Sequence, residues 1–325
     1  MDQGVAYGLF LYLISLLTMG GIYAVMALGL NIQWGFTGLF NAGIAGFFAI
    51  GAYTSAIITT AVSDAHLGGY GMPVPAGVLG AMVTSSLIAW AVGQLCIRLR
   101  SDYLAIATLG IGEIFRLILK NEIWATNGAR GVARIPRPFE NLPEPFNQLA
   151  FMALVLAIVL VLYFALERAR TAPWGRVMTA IRENEAASRA AGKNVDRFRV
   201  EAFIAGAALM GMAGALTAHY LKFIGPNATE PLTATFLVWV MLIAGGSGNN
   251  AGAILGAVMI WSIWSLTEVV TGRLPAEWVI KSSYIRIFLI GLVLQIVLQK
   301  FPGGVLPERR AGRGRSPPKR KSPPP

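Results

Sequence analysis

Cysteine occurs once and histidine only twice in the 325 residues. The lone Cys96 excludes an internal disulfide and any cysteine-based metal cluster. His66 and His219 stand far apart in sequence, which argues against a histidine metal site. Charge is scarce as well. Charged residues make up 13% of the chain against 55% hydrophobic, and mean hydropathy is +0.60. That composition excludes an ordinary soluble domain and belongs to a polytopic membrane protein. Apolar runs are continuous rather than alternating, so the spans are helices and not barrel strands. No Gly-x-x-x-x-Gly-Lys-Ser/Thr loop, His-Glu-x-x-His pair or paired-carboxylate cleft occurs, so the chain carries no catalytic set. GGSGNNAG, residues 245–252, looks like a phosphate loop but lacks the lysine. The beginning, MDQGVAYG, has Asp2 and no Lys or Arg, unlike the basic start of a secretory signal.

What the sequence does have is a succession of apolar runs of about 20 residues, the length that crosses a bilayer as helix. They read as an all-α polytopic bundle with spans at 8–31, 43–60, 75–97, from Tyr103 to about 120, 149–166, 200–222, 233–247, 250–270 and 284–299. The 233–247 run is short, so the expectation is about nine spans, with eight to ten open. Residues 1–302 form the membrane domain. Residues 303–325, rich in Pro, Arg and Lys, read as a disordered tail, with attraction to anionic lipid heads as a second reading. The net charge of +11 suggests nucleic acid at first sight. Much of it lies in 168–199 and the tail, where the positive-inside rule explains it without nucleic acid. Residues 121–147 carry only Arg130, Arg134 and Arg137. With nine spans, that asymmetry sets the N-terminus outside, the C-terminus inside, and 168–199 in the cytoplasm.

Four features stand out against this background. PWGRVMTAIRENEAASRAAG, residues 173–192, is a polar helix with an apolar side at Val177, Met178 and Ile181, bounded by Pro173 and Gly192. It is either a contact for a cytoplasmic partner or a solvated connector. Second, NAGIAG at 41–46 and NAGAILG at 250–256 each interrupt apolar runs. Interrupted helices point to a transport pathway, with Asn41, Gly43, Asn249, Asn250 and Gly252 as its candidate residues, or else they are tight turns. Third, Glu113 and Arg116 share a helix face inside an apolar stretch and read as an ion pair, serving packing or a gate. Fourth, Ala207, Gly211 and Ala215 form a small-residue stripe that permits close helix contact. Beyond that stripe, His219 and Lys222 read as anchors at the outer surface.

Several stretches taken together resemble the permease subunits of bacterial branched-chain amino acid ABC importers. They are ALGLNIQWGFTGLFNAGIAGFFAIGAYTSA at 27–56, LRSDYLAIATLGIGEI at 99–114, GRVMTAIRENEAASRAAGKNVDRFRVEAFIAGAALMGMAGAL at 175–216 and LIAGGSGNNAGAILGA at 242–257. The resemblance implies a multi-pass protein of the bacterial inner membrane that pairs with a second permease subunit. It also implies two cytoplasmic ATPase subunits that use ATP and Mg, and a periplasmic binding protein that delivers the amino acid. No cofactor would be bound by this chain. Glu185-Ala186-Ala187 is similar to the EAA element of ABC importers. The resemblance therefore assigns coupling to the ATPase to Arg176, Ile181, Glu183, Glu185, Ala186, Ala187 and Gly192. A permease for an amide, urea or sugar, or an ion-coupled secondary transporter, is the alternative.

Overall fold

The computed structural model describes residues 3–63, 66–99, 101–271 and 276–308, and most of these are helical. Twelve α-helices follow one another along the described residues. They are α1 (Gln3–Leu30), α2 (Ile44–Thr59), α3 (Val74–Cys96), α4 (Ser101–Asn121), α5 (Ile123–Thr126), α6 (Phe146–Thr171), α7 (Pro173–Glu183), α8 (Glu185–Ala190), α9 (Val195–Leu221), α10 (Leu237–Gly245), α11 (Asn250–Thr271) and α12 (Ala276–Lys300). A two-residue ribbon of β1 (Val132–Ala133) and β2 (Phe223–Ile224) is antiparallel, with Val132 opposite Ile224.

Six helical stretches are long and apolar enough to cross a membrane: Gly4–Phe36, Val74–Cys96, Phe146–Thr171, Val195–Leu221, Pro226–Gly245 and Asn250–Val269. The three other expected spans fall on α2, α4 and α12. At 16 residues α2 is apolar but short, as is the Ile287–Lys300 part of α12. Asp102, Glu113, Arg116 and Lys120 dilute the apolar character of α4. The run at 233–247 is longer than its hydropathy suggests. A 3-10 turn at Pro226–Thr229 and a π-helical turn at Leu232–Phe236 lead into α10. Pro226 and Pro231 stand at the starts of these turns, where a missing N–H leaves no carbonyl unpaired.

The core is built on α9 and the second half of α1. From Ala202 to His219 most of α9 is buried, as expected of a helix apolar all round. Its small-residue stripe is what allows this. A Cβ on Gly51 of α2 would overlap the Gly211 carbonyl, and one on Gly211 would overlap Ser85 of α3. Such contacts let backbones approach where a larger side chain would hold them apart.

The two ends of the bundle differ. At one end, called here the loop end, the β1–β2 ribbon ties the 122–145 segment to the end of α9. Arg137 lies over the rings of Phe151 and Tyr220, 5.0 and 5.2 Å from their centroids, and burial lowers its pKa from the usual guanidinium value. Lys222 donates to Glu140, which holds that carboxyl below its ordinary range. His219 corrects the sequence reading, for it is fully buried rather than an outer anchor. Its Nδ1 lies 2.6 Å from the Pro136 carbonyl and its Nε2 2.8 Å from Ser55 Oγ. A carbonyl only accepts, so Nδ1 carries the proton and Nε2 accepts from Ser55. The first half of α1 is at this end, where Ser15 accepts from Tyr220 at 2.7 Å.

At the opposite connector end lie the 31–43 break, α7 and α8, the 246–249 turn and residues 301–308. Residues 303–308 of the expected tail are among those described. Val305 and Leu306 donate to the carbonyls of Ala244 and Gly245 at 2.9 Å, and Glu308 pairs with Arg182 at 2.7 Å. Residues 303–308 are thus packed against α10. The remainder of the expected tail, 309–325, and residues 272–275 lie outside the described residues. The described N-terminal residues and 303–308 are at opposite ends.

Candidate functional site at the connector end

Pro173 opens α7, and Met178 and Ile181 turn its apolar side inward. The expected single helix over 173–192 is in fact two. Asn184 is extended, at φ −154° and ψ 99°, and its Oδ1 accepts from the Ala187 N–H at 2.9 Å. Asparagine competes with the helical backbone in this way and starts a new helix instead of continuing the old one. Gly192, at φ +77°, lets its own N–H reach the Arg189 carbonyl and that of Lys193 reach Ser188, which closes α8.

This geometry sorts the coupling residues read from the sequence. Ile181 is 2% exposed. It packs within its own chain. Arg176, Glu183, Ala186, Ala187 and Gly192 are exposed. Glu185 belongs to an ionic cluster that pins α8 to the start of α9. It meets Arg199 at 2.8 Å and Arg189 at 3.1 Å, and Arg189 meets Asp196 at 2.5 Å. Asp196 and then Glu185 raise the Arg189 pKa. Arg98, on the α3–α4 break, approaches Asp196 at 3.5 Å. A solvated cluster of this kind adds little stability pair by pair, but it fixes where α8 points.

A residue that sequence reading did not single out makes the long-range link. The guanidinium of Arg182, at the end of α7, donates through Nη1 to the Gly35 carbonyl. Through Nη2 it donates to both carboxylate oxygens of Glu308, at 2.9 and 2.7 Å. Gly35 lies in a π-helical turn, Asn31–Phe36, that continues α1. Such turns occur often at functional sites. The only sequence signal was the Asn31, Gln33 and glycine break itself. One arginine therefore holds α7, the end of α1 and the 303–308 segment together.

Beside this clamp the 31–43 break meets the start of α11. Asn31 Nδ2 donates to Asn250 Oδ1 at 3.0 Å, and Asn31 Oδ1 accepts from the Gly248 N–H at 2.8 Å. Asn250 donates to Glu167 at 3.1 Å, and Glu167 pairs with Arg170. Gln33 accepts from Asn41 and donates to the Phe203 carbonyl, each at 2.8 Å. Asn41 accepts from the Gly43 N–H at 2.8 Å. Asn31, Gln33, Asn41 and Asn250 are fully buried. The pathway candidates are thus placed in two groups. Asn41, Gly43, Asn250 and Gly252 are buried, the asparagines fastening backbone and the glycines admitting it closely. Asn249 alone reaches an open cavity, of about 330 Å³, shared with Tyr163, Glu167 and Arg170. Buried polar groups of this kind are satisfied by bonds within the chain.

Glu113 and Arg116 lie apart from this site. Arg116 Nε is 2.8 Å from Glu113 Oε2, with a second bond from Nη2 to Oε1, so the pair is bidentate. The Glu113 side chain is 38% exposed, placing the pair on the flank of α4.

Comparison with known proteins supplies the family. The family model described as branched-chain amino acid transport system / permease component matches residues 12–298. The high-affinity branched-chain amino acid transport system permease protein LivM of Salmonella typhimurium is 32% identical over 320 residues, covering 91% of this chain and 70% of that protein. LivH of the same organism, another permease of that system, is 26% identical over 85% of this chain and 91% of its own. The autoinducer 2 import system permease protein LsrC of an Enterobacter species is 32% identical over 75% of this chain and 68% of its own. No solved structure matches the chain. With a family model spanning nearly all of its helices, the chain belongs to the branched-chain amino acid transport permease family.

Proposed function

We propose that this chain is one of two permease subunits of an ATP-driven importer of branched-chain amino acids in the bacterial inner membrane. A periplasmic binding protein delivers the substrate, and two cytoplasmic ATPase subunits use ATP and Mg. The observation that carries the reading is the family match over 12–298, joined to exposed Ala186 and Ala187 on a short helix. That helix follows the one whose Arg182 grips the end of α1. Similarity to both LivM and LivH supports a second, related permease beside this one. The chain spans the membrane about nine times, with the connector end in the cytoplasm and the loop end in the periplasm.

The mechanism asks this chain for two conformations of comparable free energy and a link to the partner. A push on α8 reaches α7 across Asn184. From α7 it reaches the π-turn of α1 through Arg182, and α11 through Asn31 and Asn250. The substrate needs no nucleophile or general base. A permease for another small solute is the second reading, favoured by the similarity to LsrC.

The test is labelled leucine uptake by proteoliposomes holding the permease pair, its ATPase subunits and candidate binding proteins. Uptake that needs both ATP and the ATPase supports the reading. Uptake that an ion gradient drives without the ATPase overturns it, and uptake of a polar solute but not leucine favours the second reading.

A further inference from the structure

At the loop end, opposite the Arg182 clamp, a cleft of about 210 Å³ runs between α1, α9, α11 and the 227–234 segment. Its walls are apolar and aromatic. Tyr23 and Trp261 stack at 4.8 Å with 28° between their planes. Trp264 extends this wall, and buried Met26 and Phe48 line it further in. Among the described residues no Asp, Glu, Lys or Arg lines it. Thr217 also lines it, but its hydroxyl is already given to the Ala213 carbonyl at 2.9 Å. At the exposed edge stands Asn227, whose carboxamide makes no hydrogen bond among the described residues.

We propose that this cleft receives the side chain of an apolar α-amino acid as the substrate enters this subunit, with the charged ends of the zwitterion at the Asn227 rim. The inference rests on the permease reading above. An apolar pocket with few polar groups at one edge orients a ligand that is apolar at one end and polar at the other. A carboxamide both donates and accepts, so Asn227 can serve ammonium or carboxylate. A charged side chain entering the cleft would lose its water and find no counter-charge. The cleft is also tied to the connector end. Met19 to Met26 of α1 form one wall, and Gly35 lies 12 residues beyond Tyr23, about 18 Å along the same helix. A pull on Arg182 therefore acts on the helix that forms the cleft wall.

The test uses the complete complex in proteoliposomes with a diazirine analogue of leucine, photolysed and mapped by peptide mass spectrometry. Labelling should fall on the peptides carrying Met26, Trp261 and Trp264, and excess leucine but not lysine should compete. Ala234→Leu, which fills the cleft from its buried side, should lower labelling and uptake about tenfold, the effect a few methylenes have in an apolar pocket. Ala228→Leu at the half-buried edge should act in the same direction if Ala234→Leu lowers the yield of folded protein. Labelling only elsewhere in the complex, with normal leucine uptake by these variants, overturns the cleft and leaves the permease reading intact. Cleft labelling that leucine does not compete identifies a lipid-like occupant and also overturns it. Absence of any ATP-driven leucine uptake by the unaltered complex overturns the branched-chain amino acid reading on which the inference rests.

Discussion

Arg182 is a single side chain that bridges three segments far apart in sequence. Its planar fork suits this, since the donors that meet the Glu308 carboxylate and the Gly35 carbonyl lie in one rigid plane. Lysine has the charge but not the fork. Arg182→Lys is expected to keep the permease inserted while lowering ATP-driven uptake, and Arg182→Gln should lower it further. Glu308→Gln should cost less, because the Gly35 contact survives. In the double variant Arg182→Gln, Glu308→Gln the losses should fall short of additive, with a coupling on the order of 1 kcal/mol, since the two act as one contact. Uptake measured in vesicles, normalised to inserted protein, gives the comparison. Strict additivity would show that the carboxylate and the guanidinium work independently. Composition offered little notice of this residue, because Arg182 reads as one of eight basic residues in 168–199.

At the scale of elements, α7 and α8 divide the work that the sequence suggested for one helix. Inward-facing Met178 and Ile181 anchor α7, which leaves α8 to present Ala186 and Ala187. If an ATPase subunit covers α8, Ala187→Asp buries an unpaired carboxylate in that contact, at a cost of several kcal/mol. The expected outcome is a normally inserted permease that neither drives uptake nor retains the ATPase on purification. An exposed connector would predict almost no change, since such a substitution shifts stability by less than about 0.5 kcal/mol. ATPase co-purifying with tagged permease separates the two. Run lengths, the small stripe and the ends at Pro173 and Gly192 were legible because each rests on local chemistry. Asn184 was not, since capping only competes with helix continuation and packing decides between them. The partners of Asn31 and Asn250, 219 residues apart, depend on how helices meet, which periodicity does not encode. His219 was misjudged for the same reason. Nothing next to it in sequence reveals that Ser55 and the Pro136 carbonyl would satisfy it.

Over the whole molecule, the distribution of Lys and Arg bears on which end faces the cytoplasm. The connector end gathers Arg168, Arg170, Arg176, Arg182, Arg189, Lys193, Arg197 and Arg199, whereas Arg130, Arg134 and Arg137 are at the loop end. Several of the first group are paired with carboxylates. That pairing does not cancel the bias, because orientation follows the number of Lys and Arg and acidic residues contribute little. The connector end is therefore expected inside. Six of the described helical stretches are long and apolar enough to cross a membrane, and the placement of the described N-terminal residues and 303–308 at opposite ends of the bundle is compatible with the odd number of crossings proposed above. Cys96 is the only cysteine and is buried, so Cys96→Ser gives a silent background for labelling. In that background, Arg130→Cys should react with a membrane-impermeant maleimide in intact spheroplasts. Ala187→Cys should react only after the membrane is opened. The reverse pattern would place α8 in the periplasm, out of reach of any ATPase, and the route from α8 through Arg182 to α1 would have nothing to drive it.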